Sequence, residues 1–144
     1  MKPTLAPGLE GRFRYRVPPS RTVPRMYEDA PDFQMMPEVL ATGYLVALCE
    51  WACIELIKPY LDWPTEQSLG THVDLSHVAA TPPGMTVEIH TRLVSIEGRK
   101  LVFEVKARDD FDVISEGRHV RHVIDAARFE RKVAEKSQRA RSAA

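Results

Sequence analysis

The sequence has no net charge, no long apolar run and few cysteines, and each shortage excludes a class of protein. Twenty basic and twenty acidic residues balance over 144 positions, so no overall basic field attracts nucleic acid or an anionic membrane. The longest apolar stretch, 44–57, is interrupted by Glu50 and Glu55 and falls short of the ~20 residues that span a bilayer. The start, MKPTLAPGLEGR, lacks the apolar segment of a secretory signal. We expect a cytoplasmic protein that binds neither nucleic acid nor membrane.

Only two cysteines are present, Cys49 and Cys53, and their spacing of four differs from that of a CxxC redox pair. On a helix they are neighbours one turn apart, a position in which disulfides rarely form. We interpret them as two small buried apolar residues that stay reduced, as in a cytoplasmic protein.

Motifs for metals, nucleotides and serine nucleophiles are also missing. His119 and His122 are three apart, and His72 and His77 five apart, so each pair points to opposite faces of a strand and cannot share a metal. There is no HExxH, GxSxG, phosphate loop or GxGxxG. The sequence therefore gives no support for a metal site.

The hydrophobic pattern alternates near the start of the chain, becomes helical in the middle and alternates again afterwards. Residues 11–17 alternate and predict a strand, and a helix is predicted from Pro37-Glu38 to about residue 61, where prolines end it. After the helix, period two predicts strands over 68–80, 85–97, 100–109 and 113–129, joined by turn residues. The tail 132–144 is predicted to be polar and frayed.

This order predicts a single α+β domain over residues 1–144. A helix that is apolar almost all round needs a cover, and a curled antiparallel sheet of about five strands provides one, as in the hotdog architecture. A single sheet of this kind leaves an open edge and an uncovered face, so we expect at least a dimer.

The segment 20–37 carries three prolines among short apolar clusters, which predicts a loop or short helical flap. The apolar residues of this flap, which we expect to cover something, include Val23, Met26, Phe33 and Met36.

Three polar side chains are expected inside. Glu50 and Thr42 lie off the solvent-facing stripe of the predicted helix, and His77 lies on the apolar face of the predicted strand that packs against it. A lone histidine on such a face is more often a satisfied core residue than a catalytic one. Three converging hydrogen-bonding side chains instead indicate a site, and a buried carboxylate must be paired, protonated or used.

Two further residues are ambiguous from pattern alone. Gly70, early in the same strand, indicates either a bulge or a backbone N–H presented to a ligand. Arg121 lies in GRHVRHVI, where alternation does not distinguish the inner face, so taken alone it is expected at the surface.

The whole set resembles the fluoroacetyl-CoA thioesterase family of hotdog proteins. The resemblance is carried by VPPSRTV, PEVLATGYLVALCEWAC, SLGT, AATPPGMTV, SIEGRKL and GRHVRHVI. It implies a hotdog homodimer that hydrolyses an acyl-CoA thioester without a metal or cofactor. It also implies an active site formed by the residues Thr42, Glu50, His77, Gly70 and Arg121.

The resemblance also implies a role for each residue. Glu50 would attack the thioester carbonyl or activate a water molecule, and His77, paired with Thr42, would pass a proton to the departing thiolate. The Gly70 N–H would stabilise the oxyanion, and Arg121 would orient the site or hold the acyl end.

The flap departs from the family pattern. Val23 and Phe33 are kept, but Met26 and, at the second aromatic position, Met36 differ. We therefore expect a small or polar acyl-CoA as substrate rather than strict selection of fluoroacetyl-CoA.

Two other classes remain open. A histidine with an acid would also suit a hotdog hydratase or dehydratase acting on a 3-hydroxyacyl thioester, and the fold alone would suit a non-catalytic acyl-CoA-binding dimer.

Overall fold

An antiparallel sheet of five strands curls around one long helix in the computed structural model, which describes residues 1–144. In chain order the strands are β1 Glu10–Arg16, β2 Glu66–Leu75, β3 Thr86–Glu97, β4 Lys100–Arg108 and β5 Val113–Asp125. Their order across the sheet is β1-β3-β4-β5-β2, so β1 and β2 form the two edges. The predicted five-stranded sheet, including the N-terminal strand, is confirmed.

The helices are α1 Pro31–Gln34, α2 Thr42–Ile57 and α3 Ala126–Ala143, with single 3-10 turns at Pro19–Arg21, Val23–Arg25 and Lys58–Tyr60. None of them has both the length and the apolar character needed to cross a membrane. The flap segment 20–37 contains only the short pieces, in which the rings of Tyr27 and Phe33 stack 5.9 Å apart.

The core lies between α2 and the concave face of the sheet. Residues spaced three and four apart on α2 meet alternate residues of the strands, because these spacings put side chains on one face of each element. Both cysteines are buried free thiols, as predicted. Burial, with a smaller contribution from the neighbouring Glu50, raises the pKa of Cys49 to about 12, so the thiol stays protonated. The buried α2 residues are Leu45, Leu48, Cys49, Ala52, Cys53 and Ile57.

The central helix begins at Thr42, so the prediction of a start at Pro37-Glu38 was wrong. The preceding residues are extended because they pair elsewhere: Leu40 is bridged to Thr22, and its N–H donates to the Thr81 carbonyl at 2.8 Å. This pairing ties the flap to the start of α2.

The predictions at the C-terminal end were also wrong. β5 stops at Asp125 rather than at residue 129, because the Asp125 carboxylate accepts the Arg128 N–H at 2.9 Å and caps α3. The expected frayed tail 132–144 is helical to Ala143, since alanine, glutamate, lysine and arginine favour helix. No residue of α3 is buried, so propensity and the cap form this helix rather than packing.

The turn between β4 and β5 is organised by a buried carboxylate. Asp109, 5% exposed, accepts the N–H groups of Phe111 and Asp112 at 2.9 and 2.8 Å and the hydroxyl of Thr81 at 2.9 Å. Burial alone would raise the pKa of Asp109, but these hydrogen bonds to the carboxylate lower it overall.

Asp109→Ala is expected to destabilise the fold by about 2 kcal/mol at neutral pH, because it leaves buried donors without an acceptor. A group with a lowered pKa contributes stability above its unfolded pKa and loses it as the pH falls through the folded value. The difference from wild type in urea denaturation should therefore shrink between about pH 7 and about pH 3. The exposed neighbour Asp110→Ala is the control, and a difference that does not change with pH would contradict the account.

Candidate active site

The guanidinium of Arg121 is the centre of a buried polar cluster. It is 2% exposed, and Nη1 donates to Glu50 Oε2 at 2.8 Å. Nε donates to the Ser68 hydroxyl at 2.8 Å and Nη2 to the Ser68 carbonyl at 2.7 Å. Nη1 also lies 3.0 Å from His119 Nε2. Because all three nitrogens are bonded, the guanidinium is held in one orientation.

The expectation that Arg121 lies at the surface was wrong. On β5 the inward face is the one that carries His119, Arg121 and Val123, all buried, and Ser68 of β2 pairs with Val123. A buried guanidinium needs hydrogen-bond acceptors for its N–H groups, and Ser68 and Glu50 supply them.

Glu50 is less buried than its position on an apolar helix predicted. Its side chain is 37% exposed in the protomer, because it lies beside Gly70 on edge strand β2, which no further strand covers. Oε2 is bonded to Arg121, whereas Oε1 makes no hydrogen bond. One carboxylate oxygen is therefore anchored and the other is accessible.

Gly70 provides the space for this carboxylate. The register of β2 against β5 shifts between Gly70 and His72, which is the bulge that one interpretation of this glycine predicted. A Cβ at Gly70 would lie 2.7 Å from Glu50 Oε2 and 3.0 Å from His119 Cε1. Any larger residue would therefore push Glu50 away from Arg121.

Thr42 and His77 form a second polar group, at the start of α2. Thr42 Oγ1 lies 2.7 Å from His77 Nδ1, and burial lowers the pKa of His77, which favours the neutral imidazole. His77 lies beyond the end of β2, but its neighbours Ser76 and Val78 still donate their N–H groups to β5 carbonyls at 2.9 Å. Nε2 of His77 is buried without a hydrogen-bond partner.

The structure thus divides the five predicted site residues into two groups. Thr42 and His77 form one, and Glu50, Gly70 and Arg121 form the other. Glu50 follows Thr42 by eight positions on α2, a rise of about 12 Å along the helix axis. No hydrogen bond links the two groups within one protomer.

Of the predicted flap residues, Met26 lies near the first group. Met26 packs against the start of α2, where its Cε lies 2.9 Å from the position of a Cβ on Gly43. The Val23 N–H donates to the Val39 carbonyl at 3.0 Å, and Phe33 stacks on Tyr27. Met36 is 47% exposed.

Sequence reasoning missed two members of the cluster, His119 and Ser68. His119 shares its strand face with Arg121, two residues away, and this i, i+2 spacing was a usable signal. Ser68 had no such signal, because its role depends on the cross-strand register of β2 and β5.

The histidines do not gather into a metal centre. His119 is buried on the inner face of β5, whereas His122 lies on the outer face and bonds to Thr71 Oγ1 at 2.9 Å. No group of three or more His, Cys, Asp or Glu side chains has the arrangement of metal ligands.

Known proteins are similar to this chain in sequence and in fold over nearly its full length. Residues 19–127 match the family described as fluoroacetyl-CoA-specific thioesterase. The fluoroacetyl-CoA thioesterase of Streptantibioticus cattleyicolor is 44% identical over 137 residues, which cover 95% of this chain and 98% of that enzyme.

Solved structures show the same family similarity. The fluoroacetyl-CoA thioesterase FlK is 45% identical and superposes with a TM-score of 0.89, over 92% of this chain and 97% of that one. A thioesterase superfamily member from Thermus thermophilus is 28% identical with a TM-score of 0.84, over 97% and 98% of the two chains. The family and the hotdog fold that the sequence predicted are thereby confirmed: the chain belongs to the fluoroacetyl-CoA-specific thioesterase family.

Proposed function

We propose that the protein hydrolyses the thioester of a small acyl-CoA to the free acid and CoA, with the Glu50 carboxylate as the reacting group. The observation that carries this proposal is the state of Glu50, whose Oε2 is held by Arg121 at 2.8 Å while Oε1 is unbonded and accessible. The family supports the acyl-CoA substrate, since variants of FlK have been solved with acetyl-CoA and with fluoroacetate and CoA.

Two routes satisfy the chemistry. In the first, Glu50 Oε1 attacks the acyl carbonyl, the C–S bond breaks, and water then hydrolyses the resulting mixed anhydride. In the second, Glu50 takes a proton from water as the water attacks the carbonyl. In both routes the departing CoA thiolate takes up a proton. Neither route needs a metal or cofactor, and CoA takes part only as a portion of the substrate.

The Thr42–His77 pair is suited to supply the proton to the thiolate. If the Thr42 hydroxyl donates to Nδ1, His77 carries its proton on Nε2, and if Nδ1–H donates to Thr42, the hydroxyl proton is free. Because Nε2 is buried, we propose the second arrangement, in which His77 passes its proton through the exposed Thr42 hydroxyl to the leaving sulfur. The Gly70 N–H is proposed as the donor to the oxyanion, an interaction that is typically worth about 3 kcal/mol.

A homodimer would bring the two groups together. Edge strand β2 is exposed over 70–74, and an antiparallel pairing of two such edges runs the Gly70 end of one strand beside the far end of the other. Glu50 of one protomer would then lie close to the partner's Thr42 and the partner's His77. This arrangement resolves the separation of about 12 Å within a single chain.

In this proposal the flap determines which acyl groups the site accepts. Met36 stands where the family has its second aromatic residue, and methionine is longer and more flexible than a phenyl ring. We propose that the enzyme accepts small acyl groups, among them acetyl, fluoroacetyl and other small polar ones, without strong selection of fluorine.

Thr42→Val is expected to lower kcat by about 10- to 100-fold, because the loss of one hydrogen bond costs about 1–3 kcal/mol. Valine keeps the shape of threonine but removes the hydroxyl that contacts His77. The matched control is Thr91→Val, which makes the same substitution at a buried threonine of β3, three strands away from β2. Equal losses in the two variants would contradict a role for the Thr42 hydroxyl in catalysis.

The test of the proposed function is release of free thiol from a panel of acyl-CoAs, recorded together with enoyl absorbance on 3-hydroxybutyryl-CoA. The panel holds acetyl, fluoroacetyl, chloroacetyl, malonyl, short branched and aromatic acyl groups. Thiol release without a change in enoyl absorbance supports the hydrolase. An enoyl signal without thiol release would favour the hydratase, and tight binding with neither signal would favour an acyl-CoA-binding dimer.

A further inference from the structure

His119 makes a hydrogen bond through each ring nitrogen, although it lies within a core that is otherwise mostly apolar. It is 1% exposed. Nδ1 lies 2.8 Å from the His72 carbonyl oxygen on β2, and Nε2 lies 3.0 Å from Arg121 Nη1. The residue across from it on β4, Phe103, is apolar.

These two contacts determine the tautomer. A carbonyl oxygen only accepts, so the proton resides on Nδ1 and is donated to His72. Nε2 therefore has a lone pair, which accepts one of the two Nη1 hydrogens of Arg121. Burial lowers the pKa of His119, which keeps the ring neutral. A doubly protonated ring would instead point an N–H at a guanidinium.

The second Nη1 hydrogen is the one that holds Glu50. Nε and Nη2 are both committed to Ser68, so Nη1 alone connects the arginine to the carboxylate. Without an acceptor at position 119, one Nη1 hydrogen would be buried without a partner, which costs about 1–3 kcal/mol and favours a shifted guanidinium. The position of Glu50 would then shift with it.

We propose that His119 is a positioning residue, which acts as a neutral acceptor at Nε2 to fix Arg121 and, through it, the reactive orientation of Glu50. The inference rests on the proposed hydrolysis of an acyl-CoA. His119 touches neither the free Oε1 of Glu50 nor the Thr42–His77 pair. Its hydrogen-bonded link to the carboxylate runs through Arg121, and its bond to the His72 carbonyl holds the ring in place.

The test compares two substitutions with different hydrogen-bonding capacity. His119→Phe fills the space without an acceptor, whereas His119→Gln places an amide oxygen within reach of Nη1. His119→Phe should lower kcat about 100-fold, the loss typical of a misplacement of about 1 Å, and KM should change little. His119→Gln should recover most of that loss. The control is His122→Gln, on the outer face of the same strand, which should match wild type.

Three results would overturn the proposal: wild-type kcat in His119→Phe, a His119→Gln variant no more active than His119→Phe although both are folded, or an equal loss in His122→Gln. A readout independent of turnover is the ¹⁵N NMR spectrum of the histidine rings in the wild-type protein. It should show His119 neutral with its proton on Nδ1, and an Nε2–H tautomer would overturn the account. If wild type releases no thiol from any acyl-CoA, the proposed function fails, and the NMR result still tests the tautomer.

Discussion

Glu50→Gln should retain the fold and lose thioester hydrolysis, with kcat reduced by about 10²- to 10⁴-fold. Glutamine has almost the same shape, and its amide oxygen can still accept the Arg121 Nη1 hydrogen, so the anchoring contact survives. The amide nitrogen is neither a nucleophile nor a base. The loss should therefore appear in kcat, while the melting temperature and the affinity for CoA stay close to wild type.

The matched control is Glu55→Gln, on the exposed face of the same helix. It removes the same charge one to two turns away and should leave kcat unchanged. Wild-type turnover in Glu50→Gln would exclude Glu50 as nucleophile or base and would mean that another group carries out the hydrolysis. Equal losses in both variants would point to the charge of α2 rather than to a reacting carboxylate.

Gly70→Ala should produce a folded protein with kcat reduced by about 100-fold, because the new methyl group displaces the carboxylate. The added Cβ would lie 2.7 Å from Glu50 Oε2, closer than van der Waals contact allows. The clashing atom is the end of a flexible side chain, so the carboxylate moves more easily than the backbone. The contact with Arg121 is lost while the sheet is preserved.

Gly11→Ala is the control for this substitution. Gly11 also lies in a strand, and its added Cβ would lie 2.8 Å from Leu56 Cδ1, again the end of a side chain but away from the polar cluster. The two variants should change the melting temperature by similar amounts, and only Gly70→Ala should lose activity. A fully active Gly70→Ala would show that Glu50 does not depend on the space beside it.

Periodicity was sufficient to predict the sheet and the existence of the central helix. Strands β3 and β4 pack against α2. Burial therefore requires apolar side chains at every second position of the strands and at every third or fourth position of the helix. The same reasoning identified the two buried cysteines and placed His77 next to α2, where it meets Thr42.

Features that depend on contacts between distant segments could not be predicted in this way. The start of α2 is determined by the bridge between Leu40 and Thr22, which no local propensity reveals. The inward direction of Arg121 depends on Ser68 lying beside it across β2 and β5. Periodicity also could not separate the two polar groups along α2, because it describes which face a residue lies on and not its distance along the axis.

The measurement that tests the account most directly is subunit mixing. Thr42→Val and Glu50→Gln proteins, each with at most about a tenth of wild-type kcat, are allowed to exchange subunits, with exchange confirmed by native mass spectrometry. If Glu50 acts with the partner's Thr42, half of the dimers are mixed and each has one intact site of two, so about a quarter of wild-type thiol release should return. A fully exchanged mixture no more active than its components would contradict a site shared between protomers.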